Sequence, residues 1–349
     1  MKIQEHVELG PLTTLGVGGP ARWFIEAANE IEIAEAVSWA RSRSLPLFVL
    51  GGGSNLVVSD AGFAGLVLKI ALKGIEAEES SGARVYRVAA GENWDGFVER
   101  AVQENCAGIE CLAGIPGTVG GTPVQNVGAY GQEVLETIEQ VRVLDLETLD
   151  FHEMPVSECG FAYRTSIFNS TARGRYLVTR VDYRLTPGGA ASIRYADLKQ
   201  RFALESQPTL AEVAAVVREV RRSKGMLLVD GDADCRSAGS FFKNPVISKE
   251  RFASLVAKLG TEPPHYPGGE GPGGQGLVKL PAAWLIEKAG FRKGFAIGRA
   301  GISSRHTLAL VNRGGATTAD LFALRDAIAA GVEAQFGIAL EMEPVLVGF

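Results

Sequence analysis

Short apolar runs and amphipathic segments alternate along the first hundred residues. Ile33, Val37 and Ala40 recur at three- and four-residue spacing, which predicts a helix over residues 30–43. A second helix is predicted from Asn93 to residue 103, with Asn93 as its N-cap. Strands are predicted where apolar residues run together or alternate with polar ones, at 21–26, 45–50, 56–58, 65–70 and 84–89. The chain therefore begins as an α+β fold with crossover units.

Three later helices carry start and stop signals. Thr209 and Glu212 form a capping box that opens a helix running to about residue 222. Residues 281–288 begin with proline in the first turn and are followed by glycine. Residues 318–336 place leucine, isoleucine and valine on one face and stop at glycine. By contrast, the Gly- and Pro-rich residues 263–276 predict a mobile surface loop without regular structure.

Composition restricts the class of protein. The 349 residues exceed the usual size of one core, so we expect two or three domains. A net charge of −5 without any Lys/Arg block argues against a nucleic-acid partner. The first residues lack a signal-peptide pattern, and no apolar run reaches the roughly 18 residues of a membrane span. We expect a cytoplasmic protein that does not engage a membrane.

Cysteine and histidine spacing offers no metal site. The four cysteines lack close pairing, and the four histidines contain no His-x-x-x-His pair. We expect thiols and no metal.

Three glycine-rich clusters lie at 15–19, 50–55 and 114–121. One such cluster alone is more typical of a turn, but glycine backbones also let several N–H groups converge on a phosphate. Ser54 and Asn55 can add side-chain donors, so the first two clusters suggest a pyrophosphate cradle. A strand-like run rather than a helix follows Asn55, which argues against the common dinucleotide fingerprint.

Four ordered motifs carry a family resemblance. They are residues 50–55, Gly-Ile-Pro-Gly-Thr-Val-Gly-Gly and its continuation at 114–131, Tyr-Arg-Thr-Ser-Ile-Phe at 163–168, and Ser-Ala-Gly-Ser-Phe-Phe-Lys-Asn-Pro at 237–245. Together they resemble the UDP-N-acetylenolpyruvoylglucosamine reductases over nearly the whole chain. The serine motif and residues 192–198 are similar to the first of two subtypes of that family.

The resemblance implies a fold and a reaction. It implies an FAD-binding domain of the vanillyl-alcohol oxidase type over 1–226, with two α+β subdomains at about 1–70 and 71–226. It implies a C-terminal α+β substrate-binding domain over 227–349, whose last residues return to the FAD domain. Non-covalent FAD, NADPH as co-substrate, a UDP-sugar substrate, a role in peptidoglycan synthesis and a monomeric chain are expected.

The resemblance also assigns site residues by their position in the motifs. For FAD these are Gly51, Gly52, Gly53, Ser54, Asn55, Gly114, Ile115, Pro116, Gly117, Gly120, Gly121, Asn126, Gly128 and Tyr130. For the substrate they are Tyr163, Tyr195, Lys224, Asn244 and His306.

Three catalytic residues are implied in the same way. Hydride addition to an enolpyruvyl ether pushes electrons toward its carboxylate, so the developing charge needs a fixed cation and hydrogen-bond donors. Arg164 would be the cation, Ser240 the acid that protonates C2, and Glu343 the group near the enolate. Alternation along a strand would point Glu341 and Glu343 to the same face, so the pattern alone leaves the choice between them open.

Other functions remain open on the residues alone. Ser240 could be a nucleophile, but it has no Gly-x-Ser-x-Gly elbow and no adjacent base. A different flavin oxidase on the same fold would be expected to lack Ser240 and the motif around Arg164. A nucleotide-binding module without chemistry would be expected to have lost one of the three catalytic residues.

Overall fold

A computed structural model describes residues 1–202, 207–270 and 276–349. Strands are found in every part of this range. They are β1 Ile3–Glu8, β2 Pro20–Ala27, β3 Leu47–Leu50, β4 Leu56–Val58, β5 Phe63–Ile70, β6 Ile75–Ser80, β7 Ala83–Ala89, β8 Cys106–Ala107, β9 Gly128–Ala129, β10 Gln132–Glu133, β11 Ile138–Asp145, β12 Phe151–Pro155, β13 Tyr176–Pro187, β14 Ser237–Ser240, β15 Val246–Ser248, β16 Tyr266–Glu270, β17 Gly276–Lys279, β18 Ala296–Ile297, β19 Ala300–Ile302, β20 Ala309–Asn312 and β21 Val345–Val347.

Helices separate several of these strands. They are α1 Glu30–Ser42, α2 Trp94–Gln103, α3 Ala196–Lys199, α4 Leu210–Ser223, α5 Lys249–Leu259, α6 Ala282–Lys288 and α7 Thr318–Phe336. Within the described ranges, no helix combines the length and apolarity that crossing a bilayer requires.

The chain divides into two compact units. The first consists of Met1–Glu8, Pro20–Gly53 and Gly62–Leu228. The second consists of Leu9–Gly19, Ser54–Ala61 and Val229–Phe349. The domain ranges expected from the sequence stay predictions.

The first unit contains two larger sheets and the two-stranded sheet formed by β9 and β10. Of the two larger sheets, the smaller has the order β1-β2-β5-β3, in which β2 and β3 both run parallel to β5. Helix α1 makes the crossover from β2 to β3 and buries Ile33 and Val37 against the sheet. The larger sheet has the order β12-β11-β13-β7-β6 with antiparallel neighbours. Helix α2 buries Phe97 between Tyr86 and Tyr183, which lie opposite each other on β7 and β13.

The second unit has a separate core. Its main sheet has the order β14-β20-β19-β18, and a three-stranded sheet has the order β15-β17-β16. Strand β21 lies parallel to β4, so the end of the chain pairs with residues that follow Asn55. Helix α7 is capped by Thr317, buries Leu321, Leu324, Ile328 and Val332, and ends at Gly337 with a φ of 67°.

The helix predictions are confirmed, including the Asn93 cap and the Thr209–Glu212 capping box. The strands predicted in the first hundred residues are also found, although β3 starts two residues later than expected. The sequence interpretation assigned no strands between α2 and α4, where β8 to β13 lie. Several of these are two-residue pairings that local propensity does not mark.

The prediction of an irregular loop over residues 263–276 is wrong for part of that segment. Tyr266–Glu270 forms β16 and pairs with β17, which begins at Gly276. A Cβ on Gly268 would lie 2.8 Å from the backbone of Leu277, so its glycine permits this close pairing rather than preventing it. Residues 271–275 lie outside the described residues.

The buried Trp94 provides a test of the first core. Its side chain is 1% exposed, contacts Phe97 and Tyr183, and donates from Nε1 to the carbonyl of Leu112 at 3.2 Å. We expect Trp94→Ala to lower the free energy of unfolding by about 3–5 kcal/mol in urea titrations followed by circular dichroism. The control Ile31→Ala, at a 72% exposed position, should change it by less than about 0.5 kcal/mol. Equal losses in the two variants would contradict this core.

Candidate functional site

The first glycine loop of the site follows directly after β3. A Cβ on Gly52 would lie 2.5 Å from Cα of Gly117, and one on Gly51 would lie 2.8 Å from Oγ1 of Thr118. The first distance is to backbone, which cannot rotate away as a side chain can. Glycine at position 52 is therefore required by the close approach of the two loops.

The same loop presents unused backbone donors. The N–H groups of Gly52 and Gly53 have no acceptor among the residues that the structure describes. Gly53 has a φ of 65°, in the left-handed region. Successive N–H groups beside such a turn form a concave nest that binds anions. The loop therefore fits a phosphate group.

The second glycine loop is fixed to the beginning of α2. The N–H of Gly114 donates to Oδ1 of Asp95 at 2.5 Å, and the carbonyl of Gly117 accepts from the N–H of Trp94 at 3.1 Å. Gly114 and Gly117 have positive φ values of 73° and 131°. The loop thus turns twice where glycine is favoured, while the first turn of the helix holds its position.

The remaining predicted residues of this loop differ in their surroundings. Gly120 packs closely on Ala90, because an added Cβ would lie 2.6 Å from the alanine Cβ. Ile115 and Pro116 are half-buried. Gly121 is exposed, and an added Cβ would meet no atom within 4 Å among the described residues.

Two residues in or just before the hairpin of β9 and β10 have strained backbones. Asn126 and Tyr130 have backbone φ values of 45° and 49°, which residues other than glycine rarely adopt. Asn126 is fully buried and donates from Nδ2 to Glu133 at 2.7 Å and to the carbonyl of Ala162 at 3.1 Å. Such strain persists only where surrounding contacts enforce it, and it is concentrated at binding and catalytic sites.

Arg164 lies beside this hairpin. Its backbone φ is 55°, and its guanidinium donates to the carbonyl of Gly128 at 2.7 Å. The carbonyl of Arg164 in turn accepts from Nδ2 of Asn169 at 3.1 Å, and its guanidinium carbon lies 5.6 Å from the ring centre of Tyr163. The structure therefore brings Arg164 together with Tyr163 and Gly128.

A cluster of aromatic and charged side chains adjoins the hairpin. The rings of Tyr130 and Tyr195 meet edge to face with centroids 5.6 Å apart. Lys224 lies 5.9 Å from the Tyr130 ring centre and forms an ion pair with Asp197 at 2.6 Å. Burial raises the pKa of the Tyr130 hydroxyl above its ordinary value, so it remains protonated at neutral pH.

Arg221 was missed by the sequence interpretation. It is 6% exposed and donates to the carbonyls of Gly114 at 2.9 Å and Met226 at 2.7 Å. Burial lowers its pKa, although an arginine still keeps its charge. In the sequence it resembles any basic residue in the last turn of a helix, so its link to the glycine loop gave no signal.

Ser240 ends β14 in the second unit. It pairs with Ala309 of β20 next to an irregular register, and Gly239 before it has a φ of 74°. Phe241 and Phe242 are buried, with ring centroids 5.5 Å apart, and the N–H of Phe241 donates to the carbonyl of Leu308. The half-buried serine is therefore anchored by a rigid apolar pair on its C-terminal side.

Glu343 and Glu341 have different surroundings. The N–H of Glu343 donates to the carbonyl of Phe241 at 3.0 Å, so its backbone lies beside the residue that follows Ser240. Glu341 is 74% exposed in its side chain and pairs with Lys243 at 2.5 Å, whereas Glu343 is half-buried. Of the two glutamates, only Glu343 combines partial burial with a backbone bond to the residue that follows Ser240.

Ser54 and Asn55 belong to the second unit, although Gly51 to Gly53 belong to the first. Asn55 donates from Nδ2 to the carbonyl of Glu343 at 3.3 Å. Thr14 donates to the carbonyl of Ser237 at 2.6 Å and lies 3.4 Å from that of Ser54. These contacts link two predicted cofactor residues to β14, which Ser240 ends, and to the segment of Glu343.

Asn244 and His306 lie in the same unit. The side-chain oxygen of Asn244 accepts from the N–H of Ala282 at 2.9 Å, at the first turn of α6. His306 lies in the turn before β20, where its N–H donates to Oγ of Ser303. Asn244 therefore has a structural contact in addition to any contact with substrate.

The glycines of the 15–19 cluster have a packing role. A Cβ on Gly18 would lie 2.4 Å from Cβ of Val58, and Asn312 donates to the carbonyls of Leu15 and Gly16. These contacts explain the glycines without a phosphate. Elsewhere in the described ranges, no group of three or more His, Cys, Asp and Glu side chains is arranged to hold a metal.

Family models match both parts of the chain. Residues 21–148 match the model described as an FAD binding domain, and residues 231–347 match the C-terminal domain of UDP-N-acetylenolpyruvoylglucosamine reductase. The glycine loops and the two α+β units therefore define a flavoprotein of the FAD-binding fold, as predicted.

Whole-length relatives narrow the class. The chain is 48% identical to the reductase of that name from Thermobifida fusca, over 98% of this chain and 97% of the relative. It is 45% identical to that of Streptomyces coelicolor, over 97% and 89%. A crystal structure of the enzyme from Thermus caldophilus matches 99% of both chains with a TM-score of 0.67 and 26% identity. The chain belongs to the UDP-N-acetylenolpyruvoylglucosamine reductase family.

Gly52 tests the loop contact directly. We expect Gly52→Ala to push the loop away from Gly117 and to lower the ratio of FAD to protein after purification by more than about tenfold, because the added Cβ meets backbone. The ratio follows from absorbance at 450 and 280 nm with about 10 μM protein.

Gly96→Ala is the matched control for this variant. Its Cβ would meet Oδ1 of Asn93 at an ordinary 3.5 Å inside α2, so flavin content should not change. Full flavin content in Gly52→Ala would show that the two loops need not approach closely.

Proposed function

We propose that this chain reduces UDP-N-acetylglucosamine enolpyruvate to UDP-N-acetylmuramate with NADPH, a step in the synthesis of peptidoglycan precursors. Family membership over almost the full length supports this reaction. The observation that carries it is the backbone bond from the N–H of Glu343 to the carbonyl of Phe241, because it places a half-buried carboxyl on a segment beside the one that carries the half-buried hydroxyl of Ser240, and such a pair suits an enolate that must be protonated.

FAD fits the glycine loops of the first unit. Gly52 and Gly53 offer N–H groups for its phosphates, and the loop from Gly114 supplies a second close backbone surface. The buried Arg221 holds that second loop by its carbonyl and adds a positive charge nearby. When bound, FAD supplies the hydride, which no side chain can deliver.

Arg164 would neutralise the substrate carboxylate. Its guanidinium is fixed by the bond to Gly128 and by a backbone in the left-handed region. A cation that is already oriented does not need to reorganise as charge grows on the carboxylate, so it stabilises the transition state more than a mobile side chain would. The planar fork of arginine also matches a carboxylate better than lysine does.

Ser240 would donate the proton to C2, and Glu343 in its protonated form would donate a hydrogen bond to the enolate. The buried Phe241–Phe242 pair anchors the backbone directly after the serine and so limits its movement. Glu341 is a poorer candidate because it is exposed and paired with Lys243.

The remaining substrate residues would bind the nucleotide sugar. Lys224 offers a positive charge to diphosphate oxygens, and Tyr195 would cover the substrate next to Tyr130. Tyr163, Asn244 and His306 would add contacts to the sugar and diphosphate. A cytoplasmic, monomeric enzyme that does not engage a membrane is part of this proposal.

Ser240→Ala should separate the two half-reactions. We expect bleaching of the flavin by NADPH to stay within about twofold of the parent rate, since no proton from Ser240 is needed. Reoxidation by the enolpyruvyl sugar should slow by about 10²–10⁴, the usual contribution of a general acid. Both rates are measured by anaerobic stopped-flow absorbance.

Ser248→Ala is the control for this experiment. Ser248 caps α5 by accepting from the N–H of Arg251, so its loss affects stability but neither half-reaction. An equal loss of both half-reactions in Ser240→Ala would refute the proton-donor role.

A pair of alanine variants tests the assignment of the glutamate. We expect Glu343→Ala to slow reoxidation by about 10²–10³, because it removes the hydrogen-bond donor that would stabilise the developing charge. Glu341→Ala removes an exposed ion pair and should change the reoxidation rate by less than about twofold. The reverse order of the two effects would assign the role to Glu341.

A further inference from the structure

The first unit contains a buried carboxylate that takes no part in the proposed binding of FAD or substrate. Glu110 lies in the 3₁₀ turn Glu110–Leu112 and is 1% exposed. Its oxygens accept from the N–H of Gly108 at 2.8 Å, from Nε2 of Gln132 at 2.9 Å and from the N–H of Ser192 at 2.8 Å. A carboxylate accepts only, so three donors satisfy it well.

These donors lie on different segments of the proposed site. Gln132 is on β10, in the hairpin that carries Gly128 and Tyr130, and its Oε1 accepts from the N–H of Cys111 at 2.7 Å. Ser192 begins the segment that leads to Tyr195. Glu110 thus connects the hairpin to the Tyr195 segment.

The segment after β13 packs Ala191 and Ile193 against the core of the first unit, but it has few hydrogen bonds to the rest of that unit. Among the described residues, three hydrogen bonds hold residues 190–194 to the rest of the chain. One is donated by the N–H of Ser192 to Glu110, one by the thiol of Cys111 to the carbonyl of Ser192 at 3.1 Å, and one by Arg194 to Glu136 at 3.3 Å. The last of these is an exposed ion pair, and exposed ion pairs contribute little to stability. The turn that begins with Glu110 therefore makes the other two hydrogen bonds, both of which involve Ser192.

The result of this anchoring is the contact between two tyrosines. Tyr130 and Tyr195 meet at 89° with centroids 5.6 Å apart, although they are 65 positions apart in the sequence. Gly131 helps, because its absent side chain leaves room for Arg194, whose Cβ is 3.2 Å from where a Cβ would be.

We propose that Glu110 is a positioning residue for the reduction. It fixes the position of the Tyr195 segment relative to the Tyr130 hairpin. In this way it places Tyr195 where it can contact the enolpyruvyl sugar. This rests on the proposed role of Tyr195 in substrate binding. Glu110 acts only through Gln132 and Ser192 and has no part in the chemical step.

Glu110→Gln tests the proposal with little change in volume. One oxygen becomes an NH2 group, so at least one N–H donor then faces another donor. We expect exchange of the Ser192 amide to rise by about tenfold, which corresponds to the loss of roughly one buried hydrogen bond. The KM for the enolpyruvyl sugar should rise by about tenfold, while kcat and flavin bleaching at saturating NADPH stay within about threefold.

Two further variants separate the possible outcomes. Glu30→Gln removes another carboxylate of this unit, bonded to Arg142 and Thr179, and should lower stability without changing the KM. Tyr195→Ala tests the tyrosine alone. An unchanged KM in Tyr195→Ala would remove the proposed role of Tyr195. A raised KM there, with unchanged exchange and KM in Glu110→Gln, would overturn the positioning role of Glu110.

Glu110→Asp serves if Glu110→Gln does not fold. It keeps the charge but shortens the reach, so we expect smaller increases in the exchange of the Ser192 amide and in the KM. No change in either quantity would overturn the proposal equally.

Discussion

The contact of two backbones at Gly52 and Gly117 is the constraint on which the first unit depends. It places the loop after β3 against the loop that precedes the hairpin of Tyr130, and it tolerates no Cβ. The N-terminal turn of α2 fixes the second loop, and its buried Trp94 anchors that turn in the core. The stability of the core therefore determines how accurately the glycine loops are held, and these loops provide the surface that fits FAD.

The second unit holds two polar side chains, those of Ser240 and Glu343, in partly apolar surroundings. Backbone bonds from Phe241 to Leu308 and from Glu343 to Phe241 hold the end of β14, where Ser240 lies, beside the segment of Glu343. Asn55 connects residues 54–61 to the carbonyl of Glu343, and Thr14 connects residues 9–19 to the carbonyl of Ser237 in β14. A weak acid such as serine can donate a proton only when it is accurately placed, and the buried phenylalanines fix the backbone directly after Ser240.

Much of this could be predicted from the sequence, because helix caps and ordered glycine motifs are local signals. The Asn93 and Thr209 caps, the family and the FAD-binding fold were all predicted and are confirmed. The strand Tyr266–Glu270 was missed because glycines that allow close pairing look the same as glycines of a loop. Arg221 and Glu110 were missed because the partners that connect them to the site lie far away in the sequence, at Gly114 for Arg221 and at Gln132 and Ser192 for Glu110, and no local pattern marks a long-range hydrogen bond. The individual roles of the site residues stay predictions.

The most direct test of the account is the visible spectrum of the purified protein during one anaerobic cycle. We predict a flavin band that bleaches when NADPH is added and returns when UDP-N-acetylglucosamine enolpyruvate follows, because the same bound FAD must serve both half-reactions. A flavin that bleaches but recovers only with oxygen would contradict the proposed substrate. A colourless protein that cannot be reconstituted with FAD would contradict the glycine loops as a cofactor site.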